Sequence, residues 1–280
     1  MPKLTVTVIT RDEADHLDGC LASVAWADEI VVVDSRSTDD TVAIARRHGV
    51  RVEVRDWPGY GAQRNYAASA ATHDWILSID ADERVTPELA AEIQRLLGSD
   101  PPRRGYRVPR VAWYLGRWMR GTDWYPDYQL RLYDRRAARW NDRRVHESIT
   151  LDGEAGRLRH ELQHFPYHDI SDHLSTIDRY TTLAAQQAVE DGRRVSLPGL
   201  ALHPPLAFLR NYLLRGGCSQ GAAGLVVSAL NSYYVFLKLA KSWERSRGLR
   251  GDARGAPASD AGDVTDPPSR TSRIAPRTSR

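Results

Sequence analysis

Apolar and polar positions along the first hundred residues switch repeatedly between the period of a strand and the period of a helix. Leu4-Thr-Val-Thr-Val-Ile-Thr10 is a short β-branched run and predicts a strand. Asp12 to Val24 follows, with Leu17, Leu21 and Val24 on one helical face. Ile30-Val-Val-Val-Asp34 predicts a second strand whose unbroken apolar character suits a parallel sheet covered on both sides. Thr38 or Asp39 can cap a helix running to His48, and Val50 to Arg55 predicts a third strand. Gly59 and Gly61 precede a helix from about Gln63 to Ala71. Trp75 to Asp80 predicts the fourth strand, and Pro87 opens a helix to Leu97. This order predicts an α/β fold with a doubly wound sheet and right-handed crossovers.

After Pro101-Pro102 the pattern changes. Residues 99–170 form a second section of short β-like runs, rich in Trp and Tyr from Tyr106 to Trp140. Most of those aromatics are expected to pack in a core. Residues 171–245 read as helical. Residues 246–280 lack aromatics and are rich in Gly, Pro, Ser, Asp and Arg, which predicts a disordered tail. Within the helical section Phe208, Leu209, Tyr212 and Leu213 form an apolar stripe beside Arg210 and Arg215. Ala222 to Leu237 is apolar but broken by Ser228, Asn231 and Ser232, and is shorter than the ~20 residues that span a bilayer. Lys238, Lys241, Arg245 and Arg247 follow. Apolar helices edged with Arg and Lys suit either an anionic membrane surface or packing on a core or a second subunit.

Charge refines this picture. The formal net charge is +3, and the tail from Ser246 carries seven Arg against four Asp, so residues before it sum to zero. Residues 103–159 nevertheless hold fourteen Arg, no Lys, and seven Asp plus Glu. Arg forks bind phosphate and carboxylate bidentately, so this block either faces an anionic ligand or is a solvated surface. No nucleic-acid motif accompanies the charge, and no nucleic-acid partner is expected. Cys20 and Cys218 are the two cysteines, which excludes a disulfide framework and suits a reducing cytoplasm. The apolar run at Leu4–Thr10 is too short for a signal peptide.

Candidate chemistry centres on the end of the fourth strand. Asp80 and Asp82 are spaced i, i+2, so both carboxylates can point the same way and converge on a hard divalent cation. Asp34 ends the second strand, and ligands of open α/β sheets bind outside the carboxyl ends of the strands. Asp34 with Ser35, Ser37 and Thr38 offers hydrogen bonds to a ribose or a base. The chain has no phosphate-binding GxxxxGK[ST] loop, no HExxH and no GxSxG, and Gly59-x-Gly61 does not follow the first strand as a dinucleotide fingerprint would.

Val8-Ile-Thr-Arg-Asp-Glu13, Val31 to Asp39, Gly61-Ala-Gln-Arg-Asn65 and Ser78-Ile-Asp-Ala-Asp-Glu83 resemble the successive signatures of family-two glycosyltransferases of the GT-A fold. Asp127-Tyr-Gln-Leu-Arg-Leu-Tyr133 and Val145-His-Glu147 resemble a subgroup that includes the β-1,4-glucosyltransferases of lipopolysaccharide core assembly. The resemblance runs from residue 4 to about 245. It implies a mixed sheet, with residues 1–98 binding a nucleotide sugar and residues 99–170 binding the acceptor. By the same resemblance Thr10, Arg11, Glu13, Asp34, Ser35, Gln63, Arg64, Asn65 and Asp80 border the nucleotide. Asp80 and Asp82 match the metal-binding DxD, with Mg²⁺ or Mn²⁺ as the ion, and His164 supplies a further metal or phosphate contact. Two positions depart from the family's habit: Asp12 stands where Asn is usual, and Arg36 where Gly is common.

The implied reaction is an inverting transfer of a hexose, glucose from a UDP-sugar, to a lipopolysaccharide core or other lipid-linked glycan at the inner face of the cell membrane. Direct displacement needs a carboxylate to take the acceptor proton. Glu147 and Asp127 are the candidates, with Glu147 preferred and Asp127 holding acceptor hydroxyls. Gln129 and Arg131 are expected to line the donor sugar or diphosphate. Two other readings stay open: a sugar nucleotidyltransferase, which lacks support because no Gly-rich loop follows the first strand, and a non-catalytic nucleotide- or glycan-binding module.

Overall fold

The computed structural model describes residues 2–141, 148–193 and 195–247. The alternating stretch folds into β1 (Leu4–Thr10), α1 (Ala14–Ser23), β2 (Glu29–Asp34), α2 (Thr41–Arg47), β3 (Arg51–Val54), α3 (Tyr60–Ala70) and β4 (Trp75–Asp80). A short β5 (Glu83–Val85) and α4 (Pro87–Gly98) follow. Strands β3, β2, β1 and β4 are parallel neighbours in that order. Alternating side chains split the core into two layers. Val6, Val8, Val32, Leu77 and Ile79 pack with Leu17, Leu21, Leu89 and Ile93. Ile9, Val31 and Val33 face the other way, onto Ala67. Each such side chain contributes about 1.5–3 kcal/mol on full burial. Helix α3 begins at Tyr60, earlier than the expected Gln63, because Gly59 at φ 110° turns the chain and Tyr60 meets the Trp57 ring edge-on. Helix α4 starts as Pro87 predicts, capped by Thr86, whose hydroxyl accepts from Leu89 N at 3.2 Å.

The remaining strands are β6 (Gly105–Tyr114), β7 (Arg117–Met119), β8 (Asp127–Asp134), β9 (Ala138–Trp140), β10 (Ile149–Leu151), β11 (Gly156–Arg157) and β12 (Leu162–His164). Strand β8 lies antiparallel to β4, and β6 antiparallel to β8 with a bulge at Tyr106/Arg107. The sheet order is β3-β2-β1-β4-β8-β6-β12-β5, and β9 and β10 form a separate pair. A parallel half thus continues into an antiparallel half, the mixed α/β sheet expected from the sequence.

The chain divides into two compact units. The first comprises Met1–Val111 and Asp127–Phe165; the second comprises Ala112–Pro126 and the described residues from Pro166 onward. The second unit holds α5 (Ile170–Glu190), α6 (Leu197–Leu209), a π turn at Arg210–Leu214, and α7 (Gly221–Ser246). Its buried aromatics are Tyr114, Trp124 and Tyr167, packed with Met119, Ala223 and Val227. The helical section expected to run to Arg245 ends with α7 at Ser246, and the apolar run Ala222–Leu237 lies inside that helix. Although that run was expected to be too short to span a bilayer, Gly217–Ser246 is long and apolar enough by length and composition to cross a membrane, with 33% of its most apolar stretch buried in the protein. The tail expected to be disordered lies, beyond Arg247, outside the described residues.

Candidate active site

Parallel pairing brings the carboxyl ends of β1, β2 and β4 together: Thr10 pairs with Asp34, and Ile9 with Asp80. Thr10 Oγ1 donates to Asp34 Oδ2 at 3.0 Å, and Ser37 N donates to Asp34 Oδ1 at 2.8 Å. Ser35 N donates to the Thr10 carbonyl at 2.9 Å, and Gln63 Nε2 donates to Ser35 Oγ at 3.1 Å. Thr10, Asp34, Ser35 and Gln63 therefore form one connected group. Glu13 is buried beside it, its backbone N donating to Thr41 Oγ1 at 2.7 Å. Arg11 is an immediate neighbour, with Nε 3.8 Å from Asp12 Oδ2.

The two departures from the family pattern have a common physical setting. Asp12 and Arg36 both have left-handed backbone, at φ 51° and 56°. Asp tolerates that conformation through local hydrogen bonds, and Asp12 Oδ1 accepts from Thr38 N at 2.7 Å. Arg36 has no such device; its exposed side chain pairs with Asp56. The glycine habit at this position follows from the backbone angle.

Beneath the strand ends lies a buried charge cluster. Arg64 Nη2 donates to Asp80 Oδ1 at 2.6 Å, and Arg131 Nη2 donates to both Asp80 Oδ2 and Glu83 Oε1 at 2.6 Å. Arg110 donates to Glu83 Oε1 at 3.0 Å through Nη1 and to Asp127 Oδ2 at 2.7 Å through Nη2. Gln129 Nε2 donates to Asp127 Oδ1 at 2.7 Å. Burial alone would raise the pKa of Asp127, but the Arg110 charge outweighs it, with the hydrogen bonds from Arg110 and Gln129, and holds it below the usual carboxylate range. Burial likewise opposes the charge on Arg110 and Arg131, yet their carboxylate neighbours hold both guanidiniums firmly protonated.

Asp82 differs. Its side chain is buried and, among the described residues, no guanidinium or backbone N–H hydrogen-bonds to either carboxylate oxygen. The His164 imidazole lies beside it, with Nε2 3.3 Å from Oδ2. Strand pairing makes this contact: His164 in β12 is opposite Glu83 in β5, and Phe165 N donates to the Asp82 carbonyl at 2.9 Å. Burial pushes the Asp82 pKa up; His164 opposes this, and Asp80 and Glu83 add to it. Asp80, Asp82, Glu83 and Asp127 against Arg64, Arg110 and Arg131 leave the cluster one positive charge short when all four carboxylates are ionised. A divalent cation at Asp82 fits that deficit and the oxygen-donor set. Among the described residues no group of three or more His, Cys, Asp or Glu is arranged to hold a metal. Asp82 and His164 would thus hold the ion together with ligands from outside the protein. The carboxylate of Asp80, the other expected ligand, is already engaged by Arg64 and Arg131.

Glu147 lies outside the described residues. Asn65 is held by the backbone of Trp140, donating Nδ2 to its carbonyl at 2.9 Å and accepting from its N at 3.0 Å. Within the Arg-rich block Arg110 and Arg131 are buried in the cluster, whereas Arg103, Arg104 and Arg136 stay largely exposed and form ion pairs at the surface, Arg104 and Arg136 with Asp134 and Arg103 with Glu154; Arg135 pairs with Asp74. Two residues that bind the cluster together carry no assigned role in the sequence analysis: Glu83, quoted there as the end of a motif, and Arg110. The signal for Arg110 was its alternation in a strand of otherwise apolar inward positions, Val108 and Ala112.

The family described as Glycosyl transferase family 2 matches residues 5–150. The lipopolysaccharide core biosynthesis glycosyltransferase LpsC of Rhizobium meliloti is 32% identical over 254 residues, spanning 88% of this chain and 94% of that protein. An uncharacterized glycosyltransferase of Rickettsia typhi is 30% identical over 259 residues, 88% of each chain. A crystal structure of glucosyl-3-phosphoglycerate synthase from Mycobacterium tuberculosis, with Mn²⁺, UDP and glucosyl-3-phosphoglycerate, has 22% identity. Its TM-score is 0.35, over 39% of this chain and 44% of that one. With its mixed α/β sheet and the acidic pair at the end of β4, the chain belongs to glycosyl transferase family 2 and has the GT-A fold.

Proposed function

We propose that this glycosyltransferase moves a hexose, glucose, with inversion from a UDP-sugar to a lipopolysaccharide core or related lipid-linked glycan, on the cytoplasmic face of the membrane. The observation that carries the donor half of this reading is Asp82: a buried carboxylate that no guanidinium engages among the described residues, with His164 Nε2 3.3 Å away, at the carboxyl end of the central strand. Asp82 and His164 would hold Mg²⁺ or Mn²⁺, which supplies positive charge to a departing diphosphate. Thr10, Asp34, Ser35 and Gln63 support a nucleoside site on the neighbouring strand ends, bordered by Arg11 and Glu13. Arg64 and Arg131 keep Asp80 in place, and Asp80 keeps both guanidiniums at the site. The acceptor class rests on similarity to LpsC along nearly its whole length.

Asp127 is held ionised, with one oxygen on Arg110 and the other on Gln129. A carboxylate so stabilised is a weak base and a good anchor for hydroxyls. This supports Glu147 as the group that takes the acceptor proton, with Asp127 and Gln129 positioning the sugars. The test is UDP release from UDP-glucose, with a panel of other nucleotide sugars in parallel, by the purified chain in the presence of Mn²⁺ or EDTA. Cation-dependent turnover of one nucleotide sugar is expected; turnover that survives EDTA, or pyrophosphate release from UTP and a sugar phosphate, would replace this reading.

A further inference from the structure

Helix α6 and the π turn after it are built inside out. Pro204 and Asn211, seven residues apart, are the buried positions of this segment. Leu202, Leu206, Leu209 and Leu213 follow at spacings of four, three and four, which places them on the opposite helical face. Their exposures are 58%, 58%, 48% and 58%, and the adjacent Leu214 reaches 82%. A helix that packs on a soluble core turns its leucines inward; this one turns them out.

The orientation is fixed by buried polar contacts. Asn211 Oδ1 accepts from Asp123 N at 2.7 Å, and Asn211 Nδ2 donates to Asp123 Oδ2 at 3.2 Å. Arg210 pairs with the same carboxylate, and Ser232 of α7 donates to the Pro204 carbonyl at 2.7 Å. These contacts hold the polar side of the segment in, so the leucine stripe cannot rotate inward without breaking them.

Charge selects the occupant of this face. From Gly192 to Ser242 the sequence contains no Asp or Glu; of its cations Arg193, Arg210 and Lys241 pair with Asp191, Asp123 and Asp178, while Arg215, 3.6 Å from Asp123, keeps most of its side chain in solvent. Arg215 leaves 58% of its side chain exposed next to Leu213 and Leu214. The tail after Arg247 is itself Arg-rich and would be repelled from such a face. The geometry points to an anionic lipid surface as the partner of this face. The leucines enter the acyl boundary and the exposed Arg215 sits at headgroup level. The inference stands apart from the sugar-transfer reading, because binding is measured without donor or acceptor.

The experiment uses the full chain carrying Cys218→Ser, with Leu206→Cys labelled by an environment-sensitive fluorophore; Cys20 is buried. Vesicles of phosphatidylcholine with phosphatidylglycerol are expected to shift its emission to the blue, and pure phosphatidylcholine to do so weakly. Without labelling, Leu206→Glu/Leu213→Glu should lower co-sedimentation with the anionic vesicles by at least about tenfold. Its melting temperature and its UDP-glucose turnover should match the parent, because both positions are exposed. The double variant keeps the basic tail, so retention of full binding would assign membrane contact to the tail and overturn the proposal. Absence of the blue shift would also overturn it, as would a parent dimer that the double variant splits into monomers.

Discussion

Asp80 and Asp82 are separated by one residue and have opposite surroundings: two guanidiniums hold the first, and among the described residues none hydrogen-bonds to the second. The same strand end thus presents one carboxylate committed to the protein and one left open. That asymmetry divides the acidic pair between support and ligand binding. It also places the cost of an uncompensated buried charge on the residue that a cation would relieve.

Replacing Asp82 by Asn should stabilise the cation-free protein and abolish cation-dependent turnover. A raised carboxylate pKa means that the folded state binds the proton more tightly than the unfolded chain. The stability that Asp82 contributes is then greatest at low pH. It declines as pH rises from about 4, the ordinary Asp value, through the raised value. The stability of Asp82→Asn relative to the parent should therefore grow across that interval and level off above it. Denaturant titrations in EDTA at a series of pH values measure this difference; a difference that shrinks with rising pH would refute the assignment. Adding Mn²⁺ with UDP should raise the melting temperature of the parent and leave that of Asp82→Asn unchanged.

Arg131 bridges Asp80 and Glu83, so its loss removes one of the two guanidiniums that hold each of these buried carboxylates. Arg131→Met should lower stability by about 3–5 kcal/mol, the range for breaking a buried ion pair from one side. Arg131→Lys keeps the charge but loses the planar fork, and should fall between the two. Urea unfolding of the three proteins orders them. Equal stability of Arg131→Met and the parent would mean that the cluster does not support the strand end.

Much of this architecture was legible in the sequence because short apolar runs such as Ile30–Val33 can be buried only as strands between two helical layers. The acidic residues at the strand ends were legible for the same reason: once the strands are set, Asp34 and Asp80 must share an edge. Less legible were the contacts made by non-adjacent strands. Nothing local says that β12 pairs with β5, and that pairing alone brings His164 to Asp82. The Arg-rich block stayed open between a face for anions and a solvated surface for a related reason: some of its carboxylate partners, Asp74 and Glu83 among them, lie well upstream in the chain. The helical section presented Phe208, Leu209, Tyr212 and Leu213 as an apolar stripe; the fold exposes Leu209 and Leu213 of it and extends the exposed line back to Leu202 and Leu206.

Asn65 sits in a motif expected to border the nucleotide, yet both ends of its amide hold the Trp140 backbone. Asn65→Ala should cost about 1–3 kcal/mol by leaving a partly buried N–H and C=O without their partners. If this structural role is the whole of its function, KM for the donor should stay within about twofold of the parent at temperatures where the variant is folded. A large rise in KM with unchanged stability would give Asn65 a place in the nucleotide site. The Arg64 guanidinium stacks 4.5 Å above the Trp140 ring, so a smaller loss of stability is expected in Trp140→Phe.

Asp127 and Glu147 are separated most cleanly by pH. Arg110 and Gln129 keep the Asp127 carboxyl below the usual range, so a base at Asp127 would stay ionised, and active, at pH values where ordinary carboxylates are protonated. With Glu147 as base, the acid limb of kcat/KM at saturating Mn²⁺ should fall in or above the ordinary glutamate range and be unchanged in Asp127→Asn. Glu147→Gln should lower kcat by about 10²–10⁴-fold while leaving the donor affinity intact, the signature of a lost proton acceptor rather than a lost binding contact. Asp127→Asn should mainly raise KM for the acceptor. Its stability should also fall, because Arg110 loses one of its two carboxylates. An acid limb that moves on Asp127→Asn, with Glu147→Gln still active, would transfer the base to Asp127 and require its pairing with Arg110 to open when the acceptor binds.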